Sequence, residues 1–372
     1  MRLLISAGLF YPSKLGGPAN TLYWLAKGLI SNSIDVSVVT SNKYIKKGLV
    51  EFDSWIYVDN IRVRYCTANS KLNHKIIWHS IKELRNCEAI ILSSFFYLPS
   101  FFIALFAAFG SKKIIWSPRG ELFESAIKGS RVKLLFIKLL KILFSKRIVF
   151  HTTSFNEQNQ IEKYLGNKVK TVVIPNYIEL PRHLERNNIN DNYFLFVGRI
   201  APIKALDVLF LGLAKSEAFF SSDYKLIIAG GVEKQFEGYY KQLQQKLNEN
   251  KLLQDKVFFL GEVEGKEKFQ LYANAYFTIL VSNSENFGNV ITEALSQGTP
   301  VIASKGTPWK KLVDNKAGFW INNNQDDIAS CITEAIKMCK EEYLQYRNNA
   351  IELAKEFDVF QNIRNWLEVI QK

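Results

Sequence analysis

A chain of 372 residues is long enough for two domains that each bury a core, and 48% apolar against 22% charged residues excludes a disordered chain. The formal charge of +13 is unevenly placed: residues 1–180 hold 25 Lys+Arg against 11 Asp+Glu, and residues 181–372 hold 23 against 24. A basic half on a balanced chain points to an anionic partner for that half.

In chain order, "MRLLISAGLFYPS" meets Gly, Pro and Ser too soon for a signal peptide and reads as a first strand. The turn after it, "GLFYPSKLGGPANT", carries Gly16-Gly17 before a helix starting near Ala19. Free amides there could meet an anion, or the pair could be only a turn. No charge occurs from Ala89 to Ser111, but Ser93-Ser94 and Pro99 interrupt that stretch. It reads as a buried strand followed by an apolar helix opening at Pro99, not as a membrane span. "KIIWSPRGEL" is a strand with a loop holding Arg119, Gly120 and Glu121. Beyond it, no acid occurs between Glu124 and Glu157, a span that includes "SRVKLLFIKLLKILFSKR". On a helix Arg131, Lys138 and Lys141 share one face; such a helix is either a core helix with one wet face or one lying on an anionic leaflet. His151, in "FHTTS", reads as a satisfied structural histidine.

The domain boundaries follow from composition. Residues 1–180 form a first alternating strand–helix domain, and polar, proline-bearing 181–193 reads as a linker. The alternation restarts over 194–356, and 357–372 is a final amphipathic helix that could return to the first domain. Short β-branched strands separated by helices imply parallel, doubly wound sheets, so the α/β halves face one another across a cleft and ligands bind at strand carboxyl ends. Four scattered cysteines, with no CxxC and no histidines at metal-ligand spacing, read as free thiols in a reducing cytoplasm.

In the second half, "FVGRIAPIKALDVL" places Arg199 after a strand and its glycine and Lys204 at the mouth of a helix. Two cations there could hold a diphosphate, or form a solvated surface pair. "FTILVSNSENFGNVITEALSQG" puts Glu285 in a loop at a strand end. Asn289 reads as the cap of the next helix and Glu293 as its first-turn acid, a position that explains Glu293 by itself and leaves Glu285 unexplained.

Glu285 and Glu293, with seven residues between them in "SENFGNVITEALSQGTPVIAS", resemble the signature of retaining glycosyltransferase family 4, the glycosyl transferases group 1. The resemblance extends to "GGPANT", "VIPNYI", "FVGRIAPIK", "IIAGG" and "FFLGEV". "SPRGEL" resembles a subgroup typical of bacterial surface-polysaccharide biosynthesis. The resemblance implies a GT-B fold of two Rossmann-like domains, with the nucleotide sugar held mainly by the second. It implies that Arg199 and Lys204 neutralise the donor diphosphate, that Glu293 binds ribose hydroxyls and that Glu285 contacts the transferred sugar. Amides of Phe287, Gly288 and Asn289 would face sugar and phosphate, Gly17 the diphosphate, and Gly261 and Val263 the base. Many members carry a histidine in the loop that here contains Arg119. Arg119 would then touch phosphate or sugar and Glu121 would orient the acceptor.

The activity implied is retaining, metal-independent transfer of a hexose or related sugar from a nucleotide-diphosphate donor. The acceptor expected is a lipid-linked saccharide of O-antigen, capsule or exopolysaccharide synthesis. No cofactor and no metal are expected. The basic first half would sit on an anionic membrane surface, making the protein cytoplasmic and peripheral on the inner face of the plasma membrane. Nucleic acid is disfavoured, because no recognition motif accompanies the charge. Two alternatives stay open: a nucleotide-sugar epimerase or phosphorylase on the same scaffold, and a basic membrane-associated scaffold with a relic sugar site.

Overall fold

The computed structural model describes residues 1–13, 16–68, 72–144, 147–187 and 192–371. Lys14 and Leu15 of the first glycine turn, Ser145 and Lys146 of the basic span and 188–191 of the expected linker lie outside the described residues. The chain divides into two compact units, Met1–Glu179 with Asp358–Lys372, and Leu180–Phe357.

Unit 1 is built on strands β1 (Arg2–Ser6), β2 (Asp35–Ser41), β3 (Trp55–Val58), β4 (Ile61–Cys66), β5 (Ala89–Ser93), β6 (Lys113–Ser117), β7 (Ile148–Thr152) and β8 (Lys170–Val173). They lie in the order β3-β4-β2-β1-β5-β6-β7-β8, parallel except where β3 runs against β4. Successive side chains of a strand point to opposite faces. Leu3, Ile5, Ala89 and Ile91 therefore join one apolar cluster, while Leu4, Ile90 and Leu92 join a second. Burial on both faces is why β5, "AIILS", is a continuous apolar run and not an alternating one.

The chain returns to unit 1 at Asp358. The Val359 amide donates to Ile178 O at 2.9 Å, and the helix Arg364–Gln371 buries Trp366 and Ile370 in the first cluster. Gly28 makes this return possible, since a Cβ there would stand 2.7 Å from Val359 Cγ2.

Unit 2 carries β9 (Tyr193–Val197), β10 (Lys225–Ala229), β11 (Val257–Gly261), β12 (Phe277–Leu280), β13 (Val301–Ser304) and β14 (Gly318–Ile321). Its order, β11-β10-β9-β12-β13-β14, is fully parallel. Counted within the unit this is 3-2-1-4-5-6, the doubly wound arrangement in which strand order reverses between the first and fourth strands. That switch point falls between β9 and β12. The described part of the expected linker is bound to this unit: the Leu184 amide donates to Gln297 Oε1 at 2.9 Å and the Asn187 amide to Asn274 Oδ1 at 3.0 Å. The linker contributes its backbone to these bonds, and the polar side chains belong to unit 2.

The apolar stretch near Pro99 forms a helix, Leu98–Ala108, with the proline in its first turn. Among the described residues no helix is long and apolar enough to cross a membrane. The helix Arg131–Phe144 buries only Ile137, Leu140 and Phe144. Arg131, Lys138 and Lys141 are exposed, but so are Val132 (78%), Leu135 (69%) and Ile142 (79%). Its outer surface is more apolar than a core helix with one wet face requires.

Candidate functional site

At the carboxyl edge of unit 2, glycine turns let three neighbouring strands end against one another. The Gly198 amide donates to Ala229 O at 3.0 Å, Ile200 N to Gly231 O at 2.9 Å, and Gly230 N to Gly261 O at 2.7 Å. A Cβ on Gly230 would lie 1.8 Å from Gly198 O, so only glycine fits that approach. Gly261 ends β11 at φ 78 with open space around its Cα, and Val263 packs partly buried against the core. The turns leave Arg199 half-exposed just past β9, where Nη1 meets Glu233 Oε1 at 2.7 Å.

Lys204 closes a short 3-10 turn, Pro202–Lys204, ahead of the helix Leu206–Lys215. Its Nζ donates to Glu285 Oε2, joining the loop after β9 to the loop after β12 across the switch point. Both side chains are shielded, at 13% and 21% exposed. The Asn283 amide reinforces the junction with a 2.8 Å bond to Ile203 O. The loop after β13 braces Glu285 from the other side. Gly306 O accepts from the Glu285 amide at 2.9 Å, and buried Trp309 donates Nε1 to Phe287 O at 2.5 Å. Glu285 is thus held through its backbone amide and by a cation, in a loop that Trp309 anchors at Phe287.

The helix after this loop spans Asn289–Ser296, and its cap is Gly288 at φ 88, not Asn289. Glycine is required because the chain turns back in the left-handed region, and a Cβ would press on Leu280 Cδ2 at 3.2 Å and Glu285 Cγ at 3.3 Å. Glu293 consequently lies beyond the first turn, and the helix dipole no longer accounts for it. Its partners do. Lys268 Nζ donates to Oε1 at 2.9 Å and Tyr272 OH to Oε2 at 3.0 Å. Sequence reasoning missed both. Their signal was a Lys and a Tyr four apart in "GKEKFQLYAN", which reads as an ordinary amphipathic face.

Unit 1 carries the remaining candidates, Gly17, Arg119 and Glu121. Gly17 lies exposed in the first turn of the helix Gly16–Ile30, which begins three residues before the expected start. Its carbonyl accepts from Thr21 Oγ1 at 2.8 Å. Arg119 follows β6 in the left-handed region, φ 59, with Gly120 at φ 79. Its Nη1 donates to Asn176 Oδ1 at 3.1 Å, while Nε and Nη2 are buried without a partner among the described residues. Burial lowers the guanidinium to about 10, against the pull of Glu157, so it stays charged at neutral pH.

Glu157 is itself buried, accepting from Gly120 N at 2.6 Å and Thr153 N at 2.8 Å; burial raises its carboxyl in spite of these bonds. Glu121 turns inward, accepting from Ser94 Oγ at 2.5 Å, Phe96 N at 2.9 Å and Phe95 N. Its carboxylate staples the loop after β5. His151 is satisfied as expected: Nε2 donates to Ile174 O at 2.9 Å and Nδ1 accepts from Ser117 Oγ at 2.8 Å. Burial, then the charge of Arg119, depresses its pKa to about 3. Among the described residues no group of three or more His, Cys, Asp or Glu is arranged to hold a metal ion.

The comparisons bear on both units. Residues 181–355 match the family described as glycosyl transferases group 1. The chain is similar to the O-antigen chain mannosyltransferase RfbU of Salmonella typhimurium, 29% identical over 63% of this chain and 64% of that one. It is also similar to the alpha-monoglucosyldiacylglycerol synthase of Streptococcus pneumoniae, 29% identical over 45% and 40%. Both matches span less than two thirds of the relative's length. In structure the chain resembles Anabaena HepE, solved in complex with UDP, at TM-score 0.79 and 20% identity over 100% of both chains. That likeness, with the two parallel sheets, makes the fold GT-B.

Proposed function

We propose, on the premise that residues 181–355 belong to the glycosyl transferases group 1, that the protein transfers a hexose or related sugar, with retention, from a nucleoside-diphosphate donor to a lipid-linked saccharide. The observation that carries this reading is the meeting of Lys204 and Glu285 at the β9–β12 switch point, where doubly wound sheets bind ligands. Breaking the anomeric bond leaves negative charge on the diphosphate and positive character on the sugar. Lys204 and Arg199 meet the first, and the Glu285 carboxylate lies beside the second. Arg199 would exchange Glu233 for phosphate, and Lys204 would be shared between Glu285 and the diphosphate. The amides of Phe287, Gly288 and Asn289 would add donors at the helix start. Attack on the same face as departure, assisted by the leaving phosphate, requires no protein nucleophile and no metal.

Glu293 is assigned to the ribose diol, with Gly261 and Val263 beside the base. Arg119, charged and short of partners, is assigned to positioning the reacting groups. Glu121 acts through the loop it staples and is not assigned to the acceptor directly. The lipid-linked acceptor accords with relatives named for O-antigen and diacylglycerol chemistry. It accords too with the exposed apolar and basic residues of the helix Arg131–Phe144, which suit an anionic leaflet. Such contact would make the protein cytoplasmic and peripheral on the inner membrane face.

The test is incubation with a panel of nucleotide sugars, with and without a polyprenyl-diphosphate-linked acceptor, followed by mass spectrometry of products. Transfer that disappears in Glu285→Ala supports the reading. Full activity in that variant removes Glu285 from it.

A further inference from the structure

We infer that Lys268 and Tyr272 are positioning residues that set Glu293 for a vicinal diol, and so make the site selective for ribonucleotides over 2′-deoxyribonucleotides. The inference rests on the assignment of Glu293 to ribose. Lys268 and Tyr272 are four apart on the helix Gly265–Asn274, so they project from one face. That face meets Glu293, with Lys268 Nζ on Oε1 at 2.9 Å and Tyr272 OH on Oε2 at 3.0 Å. Each carboxylate oxygen can accept two hydrogen bonds. One acceptor site on each oxygen is therefore taken by the helix, and one on each is left.

Two remaining acceptor sites on a carboxylate whose rotation is blocked from both ends match the two hydroxyls of a ribose. A nucleoside lacking its 2′-hydroxyl leaves one of them unpaired, and a fixed carboxylate cannot turn to compensate. The surroundings keep the clamp rigid. Tyr272 is fully buried, and its backbone carbonyl accepts from Thr299 Oγ1 at 2.5 Å. Burial and the nearby carboxylate raise its phenol well above the ordinary value, so it remains a donor. The Lys268 and Glu293 side chains are 21% and 15% exposed, which leaves their pair little screened by solvent. The same helix begins four residues after Gly261, so the loop assigned to the base and the clamp assigned to the ribose belong to one connected segment.

The experiment is isothermal titration of the whole protein with UDP, ADP and GDP and their 2′-deoxy forms, taking the diphosphate that binds most tightly. Wild type is expected to prefer the ribonucleotide by about tenfold or more. Lys268→Met and Tyr272→Phe are expected to reduce that ratio at least threefold, with Lys268→Arg restoring it, even where overall affinity changes little. An unchanged ratio in both variants, with the ratio lost in Glu293→Gln, overturns the clamp and leaves the ribose assignment standing. A ratio near one in wild type, or one that persists in Glu293→Gln, removes the ribose assignment and the clamp together. If Tyr272→Phe fails to fold by circular dichroism, Lys268→Met, at a side chain in contact with solvent, decides the question alone.

Discussion

Replacing Lys204 with Met tests the switch-point site most directly. The substitution keeps the aliphatic stem and removes the ammonium that joins the β9 and β12 loops. At an effective dielectric near 20, a unit charge about 4 Å from charge developing on a leaving diphosphate is worth roughly 4 kcal/mol. Sharing with Glu285 lowers that to about 3 kcal/mol, or roughly 10²-fold in turnover. Because neither Lys204 nor Glu285 is more than 21% exposed, the loss also strands a shielded carboxylate, at about 1–3 kcal/mol of unit 2 stability. The assay is donor turnover under saturating acceptor, with urea unfolding on the same preparations. Lys204→Met/Glu285→Gln should recover much of the stability and none of the turnover, which separates the two effects. Turnover of Lys204→Met within about threefold of wild type, in folded protein, would falsify the placement of the diphosphate at this junction.

Three further outcomes are expected. Gly230→Ala should cost more than about 3 kcal/mol in denaturant unfolding, because its Cβ would meet the Gly198 backbone; Gly238→Ala, with nothing within 4 Å, should be neutral or slightly stabilising. His151 binds fewer protons folded than unfolded between its ordinary pKa near 6.5 and its depressed value of about 3, so its share of stability is lost as pH falls through that window, by up to about 1.4 kcal/mol per pH unit. Glu121 and Glu157, raised by burial, act in the opposite sense, so wild type must be compared with His151→Gln by urea midpoints at pH 7 and pH 4; a difference independent of pH refutes the assignment. Joint replacement of Val132, Leu135 and Ile142 by Asn should reduce co-flotation with vesicles rich in phosphatidylglycerol while leaving donor hydrolysis unchanged; undiminished flotation removes this helix from membrane contact.

The strands of both units were legible because continuous apolar runs end in glycine or polar turns, as in "YFLFVGR" and "KLIIAGG". Arg199, Lys204 and Glu285 were legible as residues placed just past those runs. What could not be read was partnership across long separations. Glu293 reads as a first-turn acid because Asn289 is a good cap by type, whereas the left-handed turn at Gly288 sets the helix start one residue earlier. Lys268 and Tyr272 are 25 and 21 residues before Glu293, and no local pattern pairs them with it. Glu121 reads as a residue for the acceptor, and Glu157 only as the end of an acid-free span. Their use is to satisfy backbone amides at strand ends, a need that arises only once the sheet exists.

The return of the chain at Asp358 has a consequence for the order of assembly. Unit 2 is, in effect, an insertion within unit 1, whose first cluster lacks Val359, Ile363, Trp366 and Ile370 until every residue of unit 2 has been synthesised. On the ribosome the later unit can therefore finish folding before the earlier one. Until then the apolar residues that this segment packs against stay uncovered, and a chain truncated before Asp358 is expected to aggregate through them.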